Sequence, residues 1–131
     1  MIVLDASAAI ELILGSTTGQ EIARRVLRET STLHAPEVID LEVVQVLRRY
    51  HRQKELIDSR LDAAFADFCA LRLRRYPHRV LLPRVWALRH NVSAYDAAYL
   101  SLAETLEVPL WTLDSKLAWS TGHHAEVEVF E

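Results

Sequence analysis

Short apolar segments alternate with helical segments along this chain, and that alternation constrains the fold more than any other feature. Apolar runs at 2–4, 32–35, 110–113 and 127–130 are each too short for a helix, whereas the segments between them carry helical spacing of apolar residues or helix caps. Strands separated by helices usually pair in parallel, because each helix returns the chain to the end of the sheet at which the previous strand began. We therefore predict an α/β fold, an α/β/α sandwich with a central parallel sheet.

Length and composition fit one domain that spans residues 1–131. Half of the residues are hydrophobic, which excludes disordered and low-complexity classes. No apolar run approaches the roughly 18 residues that a membrane-spanning helix needs, and a single cysteine cannot form an internal disulfide. We therefore expect a cytoplasmic protein. The net charge of -3 does not exclude a nucleic-acid substrate, because 13 of the 15 basic residues are arginines, which clamp phosphates.

Two aspartates follow predicted strands directly. Asp5 comes after the strand at 2–4, and Asp114 comes after the strand at 110–113. Open α/β sheets place their binding sites at the carboxyl ends of the strands, so both carboxylates are candidates for a common site. The alternative is that each is an ordinary turn or N-cap residue, which is a common role for aspartate.

Two further acids lie on predicted helices that offer them no cation. Neither Glu42 nor Asp96 has a lysine or arginine three or four residues away in either direction. A carboxylate among apolar neighbours needs a partner, so Glu42 requires either a distant arginine or a metal ion. For Asp96 a structural alternative exists, because Ser93 and Asp96 match the capping-box pattern at a helix start.

The four acids are far apart in sequence, so only the fold can bring them together. At about 5 Å, two carboxylates repel by roughly 3 kcal/mol at an effective dielectric near 20. A cluster of four would therefore need a counterion, and its hard oxygen ligands suit Mg²⁺ or Mn²⁺. The six histidines show no ligand spacing, which argues against a zinc site.

Four segments around these acids carry a resemblance to a known family: 3–8, 41–49, 93–104 and 112–118. In order and spacing they resemble the acidic motifs of the PIN-domain ribonucleases, and most closely those of the VapC toxins of bacterial VapBC toxin–antitoxin pairs. The resemblance runs from end to end of the chain, and Tyr95-Asp96-Ala97-Ala98-Tyr99 is its most specific part.

This resemblance implies a PIN-like α/β/α sandwich and a metal-dependent endoribonuclease that hydrolyses RNA phosphodiester bonds. Asp5, Glu42, Asp96 and Asp114 would be the catalytic residues that hold Mg²⁺, with Mn²⁺ as a substitute. The protein would act as a toxin, form a homodimer, and be inhibited by a small VapB-like antitoxin that directs an arginine toward the acids. Some PIN nucleases carry further acids just after the last motif, whereas this chain does not, so one ion or two remains open.

Other residues have two readings each. Ser7 and Thr112 resemble small hydroxyl positions beside the family's acids, where they would orient a carboxylate or a water molecule, but plain capping or strand packing would also explain them. The basic and aromatic segments 48–52 and 72–79 fit either a single-stranded RNA groove or solvated helix ends. The tryptophans are expected to pack in the core or in a dimer interface.

Two other functions remain as alternatives. The chain could keep the PIN scaffold as a catalytically silent module that binds RNA or protein, although the presence of all four acids argues against this. An aspartate-phosphorylated receiver or phosphatase would need an adjacent acidic pair after the first strand, and the sequence has none.

Overall fold

The computed structural model describes residues 1–131 and contains five strands and seven α-helices. In chain order the elements are β1 (Ile2–Leu4), α1 (Ala6–Leu14), α2 (Thr17–Glu29), β2 (Leu33–Pro36), α3 (Ile39–Arg52), α4 (Asp58–Ala70), β3 (Leu73–Tyr76), α5 (Leu82–Ala87), α6 (Ala94–Leu106), β4 (Leu110–Thr112), α7 (Ser115–Trp119) and β5 (Val127–Val129). A short 3₁₀ turn, Arg79–Leu81, precedes α5. No helix combines the length and apolar character that crossing a membrane requires.

The five strands form one parallel sheet in the order β3-β2-β1-β4-β5. The prediction of an α/β fold with a central parallel sheet is therefore confirmed. All residues of β1, β2 and β4 are buried, which explains why these strands read as continuous apolar runs rather than as alternating patterns.

The edge strand β3 was missing from the sequence-based prediction. Leu73 is buried, but Arg74 is exposed and Arg75 and Tyr76 are half-buried, so the segment lacks the apolar run that marked the other strands. An edge strand pairs on one side only and tolerates charged residues. Pairing with β2, rather than local propensity, makes this segment a strand.

Helices pack closely around the sheet. Seven consecutive residues of α6, Ala97 to Ala103, are buried, and this helix packs on β1, β2 and β4. Helix α1 meets α2 at Gly19, where an added Cβ would lie 1.9 Å from the backbone oxygen of Glu11. Only glycine permits this close approach.

The topology creates a crevice between β1 and β4. From β1 the chain crosses to β2 on one side of the sheet, whereas β4 lies on the other side of β1. In open α/β sheets, ligand sites lie at such a switch point, outside the carboxyl ends of the strands. Here Leu4 pairs with Trp111, so Asp5 and Thr112 are neighbours at that edge.

Candidate active site

Asp5 lies at the carboxyl end of β1 and is the most buried of the four acids, with 8% of its surface exposed. One carboxylate oxygen accepts hydrogen bonds from the backbone N–H of Ala8 (3.0 Å) and from the Ser7 hydroxyl (2.6 Å), and the other accepts from the Thr112 hydroxyl. Asp5 therefore caps α1, as the structural alternative proposed. Burial raises its pKa, against the opposing effect of these hydrogen bonds.

Ser7 and Thr112 connect β4 to the Asp5 carboxylate. Besides donating to Asp5, the Ser7 hydroxyl accepts the backbone N–H of Leu113 (2.9 Å), and the Thr112 hydroxyl accepts the backbone N–H of Asp114 (3.0 Å). Each hydroxyl therefore donates one hydrogen bond to Asp5 and accepts one from a backbone N–H at the end of β4. This arrangement fixes the Asp5 carboxylate, while a role of the two hydroxyls beside a metal ion or its water stays a prediction.

Glu42 projects from α3 and is bound by a residue that the sequence analysis had not assigned a role. The Tyr99 hydroxyl donates a 2.5 Å hydrogen bond to Glu42 Oε1. Burial raises the pKa of Glu42, as do the charges of Asp5 and Asp96. Burial and the Glu42 charge together raise the pKa of Tyr99, so the phenol stays protonated and remains a donor. Its place three residues after Asp96, on the same side of α6, was the available signal.

The remaining two acids lie at helix starts, Asp96 in the first turn of α6 and Asp114 just before α7. Ser93 caps α6 by accepting the backbone N–H of Asp96 (3.1 Å), but the Asp96 carboxylate does not bond back to the Ser93 backbone, so only half of the predicted capping box is present. The Ser93 side chain interacts with the Asp96 carboxylate and opposes the rise in its pKa. Burial and the charge of Asp114 raise the pKa of Asp96. Asp114 caps α7 by accepting the backbone N–H of Lys116 (2.9 Å).

The fold places Asp5, Glu42 and Asp96 close enough to affect one another's charge, and it places Asp114 close to Asp96. The charge of Asp96 contributes to the raised pKa of Asp5 and of Glu42, and that of Asp114 to the raised pKa of Asp96. None of the ion pairs in the protein includes any of the four carboxylates. The alternative of a distant arginine partner for Glu42 is therefore not what the structure contains.

The donor set has the chemistry of a site for a hard divalent cation: four carboxylates, three of them destabilised by burial, without a protein cation to balance them. As the side chains stand, however, no group of three or more His, Cys, Asp or Glu side chains is arranged so that it could hold a metal ion. The assignment of these acids as metal ligands therefore stays a prediction.

A pocket of about 330 Å³ opens beside this cluster. Asp96 and Asp114 line it together with Asn91, Lys116 and Trp119. Neither Asn91 nor a tryptophan was predicted at this site.

The tryptophans and the basic segment 72–79 were also candidates, and the structure gives them different environments. Trp111 is fully buried, as expected, but 68% of Trp86 and 81% of Trp119 are exposed, so these two do not pack in the core. In the basic segment 72–79, Arg75 bonds Asp40 (2.7 Å), which gives that arginine a structural role.

Comparison with known proteins decides the family. The family model described as the PIN domain matches residues 2–118. The chain belongs to the PIN-domain family. Among PIN-domain relatives, Ribonuclease VapC12 of Mycobacterium tuberculosis is 42% identical over 129 residues, which cover 98% of each chain.

Solved PIN-domain structures share the fold at lower identity. The crystal structure of VapC20 from M. tuberculosis, described as a sarcin-ricin loop cleaving toxin, has a TM-score of 0.66 at 18% identity, with all of both chains covered. VapBC2 from Rickettsia felis, bound to a DNA fragment from the promoter, has a TM-score of 0.64 at 13% identity, again with full coverage of both chains. These structures show the shared fold, and the VapC relative at 42% identity confirms the resemblance to VapC proteins that the motifs indicated.

Proposed function

We propose that this protein is a metal-dependent endoribonuclease and the toxin of a type II toxin–antitoxin pair. The observation that carries the proposal is the gathering of Asp5, Glu42, Asp96 and Asp114 at the switch point of the sheet without a cation partner in the chain. The relatives named as VapC ribonucleases support RNA as the substrate.

The four carboxylates would hold Mg²⁺, or Mn²⁺ in its place. When bound, the ion would lower the pKa of an attacking water and stabilise the charge that develops on the phosphate. Mutual repulsion opposes close approach of the free carboxylates, and a divalent cation would offset it.

The chain's own residues would keep the site in its working geometry. Ser7 and Thr112 hold Asp5 from two directions, and Tyr99 holds the carboxylate of Glu42. Fixed ligands lose little freedom when the ion binds, which is the usual contribution of residues behind a metal site. Asp96 and Asp114 line the open pocket and would face the RNA phosphate.

We propose two protein partners, an antitoxin and a second copy of the chain. A small VapB-like antitoxin would inhibit the enzyme by placing a cationic side chain, such as arginine, among the unpaired carboxylates. The VapBC2 neighbour supports a partner of this kind. We also propose a homodimer, on family analogy.

The test is cleavage of end-labelled single-stranded RNA with Mg²⁺, with EDTA, and with Asp96→Asn in Mg²⁺. We expect internal cuts only in the first reaction. Cleavage that survives in EDTA would contradict the dependence on a metal ion. Cleavage that survives in the variant would contradict the assigned role of Asp96. Binding of RNA without cleavage under all conditions would instead indicate a silent PIN module.

A further inference from the structure

Trp119 exposes its indole at the mouth of the candidate active site. It is the last residue of α7, and 81% of its surface is exposed, more than any other large hydrophobic residue in the chain. It lines the same pocket as Asp96 and Asp114. An exposed indole beside a polar site offers a ligand a flat apolar face and an N–H donor.

The flat faces of this indole are free. Arg89 lies 4.4 Å from the centroid of the Trp86 ring, so the other exposed tryptophan is already stacked by a cation. No aromatic ring or arginine in the protein stacks on Trp119. Trp119 can therefore accept an external planar group.

The backbone around Trp119 is held in place from both sides. Leu117 is buried, and the Ser120 hydroxyl donates to its carbonyl oxygen (2.6 Å), which closes the end of α7. Arg84 donates to the carbonyl oxygen of Gly122 (2.9 Å) and binds both oxygens of Glu104.

Gly122 packs closely against Asn91, one of the residues that line the pocket. Its φ is +89°, and an added Cβ would lie 2.8 Å from the side chain of Asn91, which lines the pocket. The indole thus stands on a fixed segment rather than on a flexible tail, and a preorganised contact loses little entropy on binding.

The pocket has a cation on the Trp119 side. Lys116 is exposed, lines the pocket and takes part in no ion pair. An aromatic face beside a free cation is the combination that single-stranded nucleic-acid sites use, the first for a base and the second for a phosphate.

We propose that Trp119 is the stacking platform for an unpaired base of the RNA substrate, next to the phosphate at Asp96 and Asp114, with Lys116 contacting a neighbouring phosphate. The inference rests on the proposed function and adds a subsite to it. A second copy of the chain is the less suitable occupant, because it would bury Asp96 and Asp114 against protein while neither has an ion-pair partner.

The experiment measures binding of a short single-stranded oligoribonucleotide in EDTA, where no cleavage is expected, to wild type, Trp119→Leu, Trp119→Phe and the control Trp86→Leu. We expect Trp119→Leu to bind the oligoribonucleotide on the order of 10-fold more weakly, because the loss of base stacking on one aromatic side chain lowers affinity by about this factor. Trp119→Phe should recover most of the affinity, and Trp86→Leu should match wild type. In Mg²⁺ the loss should appear as a higher KM.

Three outcomes would overturn the inference. Equal affinity of Trp119→Leu and wild type, while wild type cleaves RNA in Mg²⁺, would remove the subsite and leave the proposed function intact. A change from dimer to monomer in Trp119→Leu, measured by analytical ultracentrifugation, would make Trp119 a protein contact. A wild type that neither binds nor cleaves RNA would remove both proposals.

Discussion

Replacing Asp96 with asparagine should stabilise the protein when no divalent cation is present. Asp96 is half-buried, makes no ion pair, and is repelled by the charge of Asp114, and its own charge raises the pKa of Asp5 and Glu42. Asparagine keeps the shape and removes the charge. Its backbone N–H still donates to the Ser93 cap, and an amide can still form a hydrogen bond with the Ser93 hydroxyl, which interacts with the Asp96 carboxylate.

The size of the effect follows from two opposing terms. A pair of carboxylates about 5 Å apart repels by roughly 3 kcal/mol at an effective dielectric of 20 and by less than about 1 kcal/mol in bulk water, so a half-buried group gains about 1.5 kcal/mol. Losing a negative charge in the first turn of α6 costs about 0.5 kcal/mol. The net stabilisation is about 1 kcal/mol, or roughly 4 °C in Tm for a domain of this size.

Thermal unfolding in EDTA and in Mg²⁺ measures this prediction. In EDTA, Asp96→Asn should melt above wild type. In Mg²⁺ the order should invert, because ligand at 100 times its Kd stabilises wild type by about 2.7 kcal/mol and the variant has lost a proposed ligand. The control is Asp67→Asn, an exposed acid on α4 without an ion pair, which should match wild type in both buffers. A lower Tm for Asp96→Asn in EDTA, or an equal Mg²⁺ gain in both proteins, would refute the reasoning.

The pH dependence in EDTA has a definite sign. The pKa of Asp96 is raised from 3.8, so folding disfavours its ionised form. This penalty is absent well below pH 3.8, where the group is protonated in both states, grows as the pH rises from 3.8 to the folded-state pKa, and stays constant above it. The advantage of Asp96→Asn should therefore be largest at neutral pH and vanish toward pH 3.8.

Two further predictions concern residues outside the acid cluster. Tyr99→Phe removes the hydroxyl that holds Glu42 and should weaken Mg²⁺ binding by about 10-fold in calorimetry, at a stability loss of about 1 kcal/mol; Tyr95→Phe, on the same helix but 60% exposed, is the control and should change neither quantity. Glu104→Gln should destabilise the fold by about 2 kcal/mol in urea at pH 7, because Arg84 binds both carboxylate oxygens. The Arg84 guanidinium lowers the pKa of Glu104, so this loss should disappear as the pH falls through that lowered pKa, and a loss that persists in acid would contradict the ion-pair explanation.

The sequence predicted the elements that bear the acids better than the elements around them. β1 and β4 were evident because strands buried on both faces must be apolar throughout, and an aspartate after such a strand lies at the carboxyl edge of the sheet. β3 escaped prediction because an edge strand needs no apolar run and its identity depends on pairing with β2.

The contacts within the site were less accessible to sequence reasoning. Tyr99 and Glu42 are 57 residues apart, and their hydrogen bond exists only because α6 and α3 meet at the same end of the sheet. Trp119 was expected in the core or in a dimer interface, and the structure excludes the core, because 81% of its surface is exposed.

By itself, the sequence determined the alternation of strands and helices, the identity of the four candidate acids, two of which (Glu42 and Asp96) have no local cation, and the family. These properties depend on residue type and short-range spacing, which an unfolded chain already contains. The tertiary structure decided which acids repel one another, which hydroxyl groups hold them, and which tryptophan stands beside them. Those are properties of distance between remote segments, and such distances are set only when the sheet orders its strands and the helices pack on it.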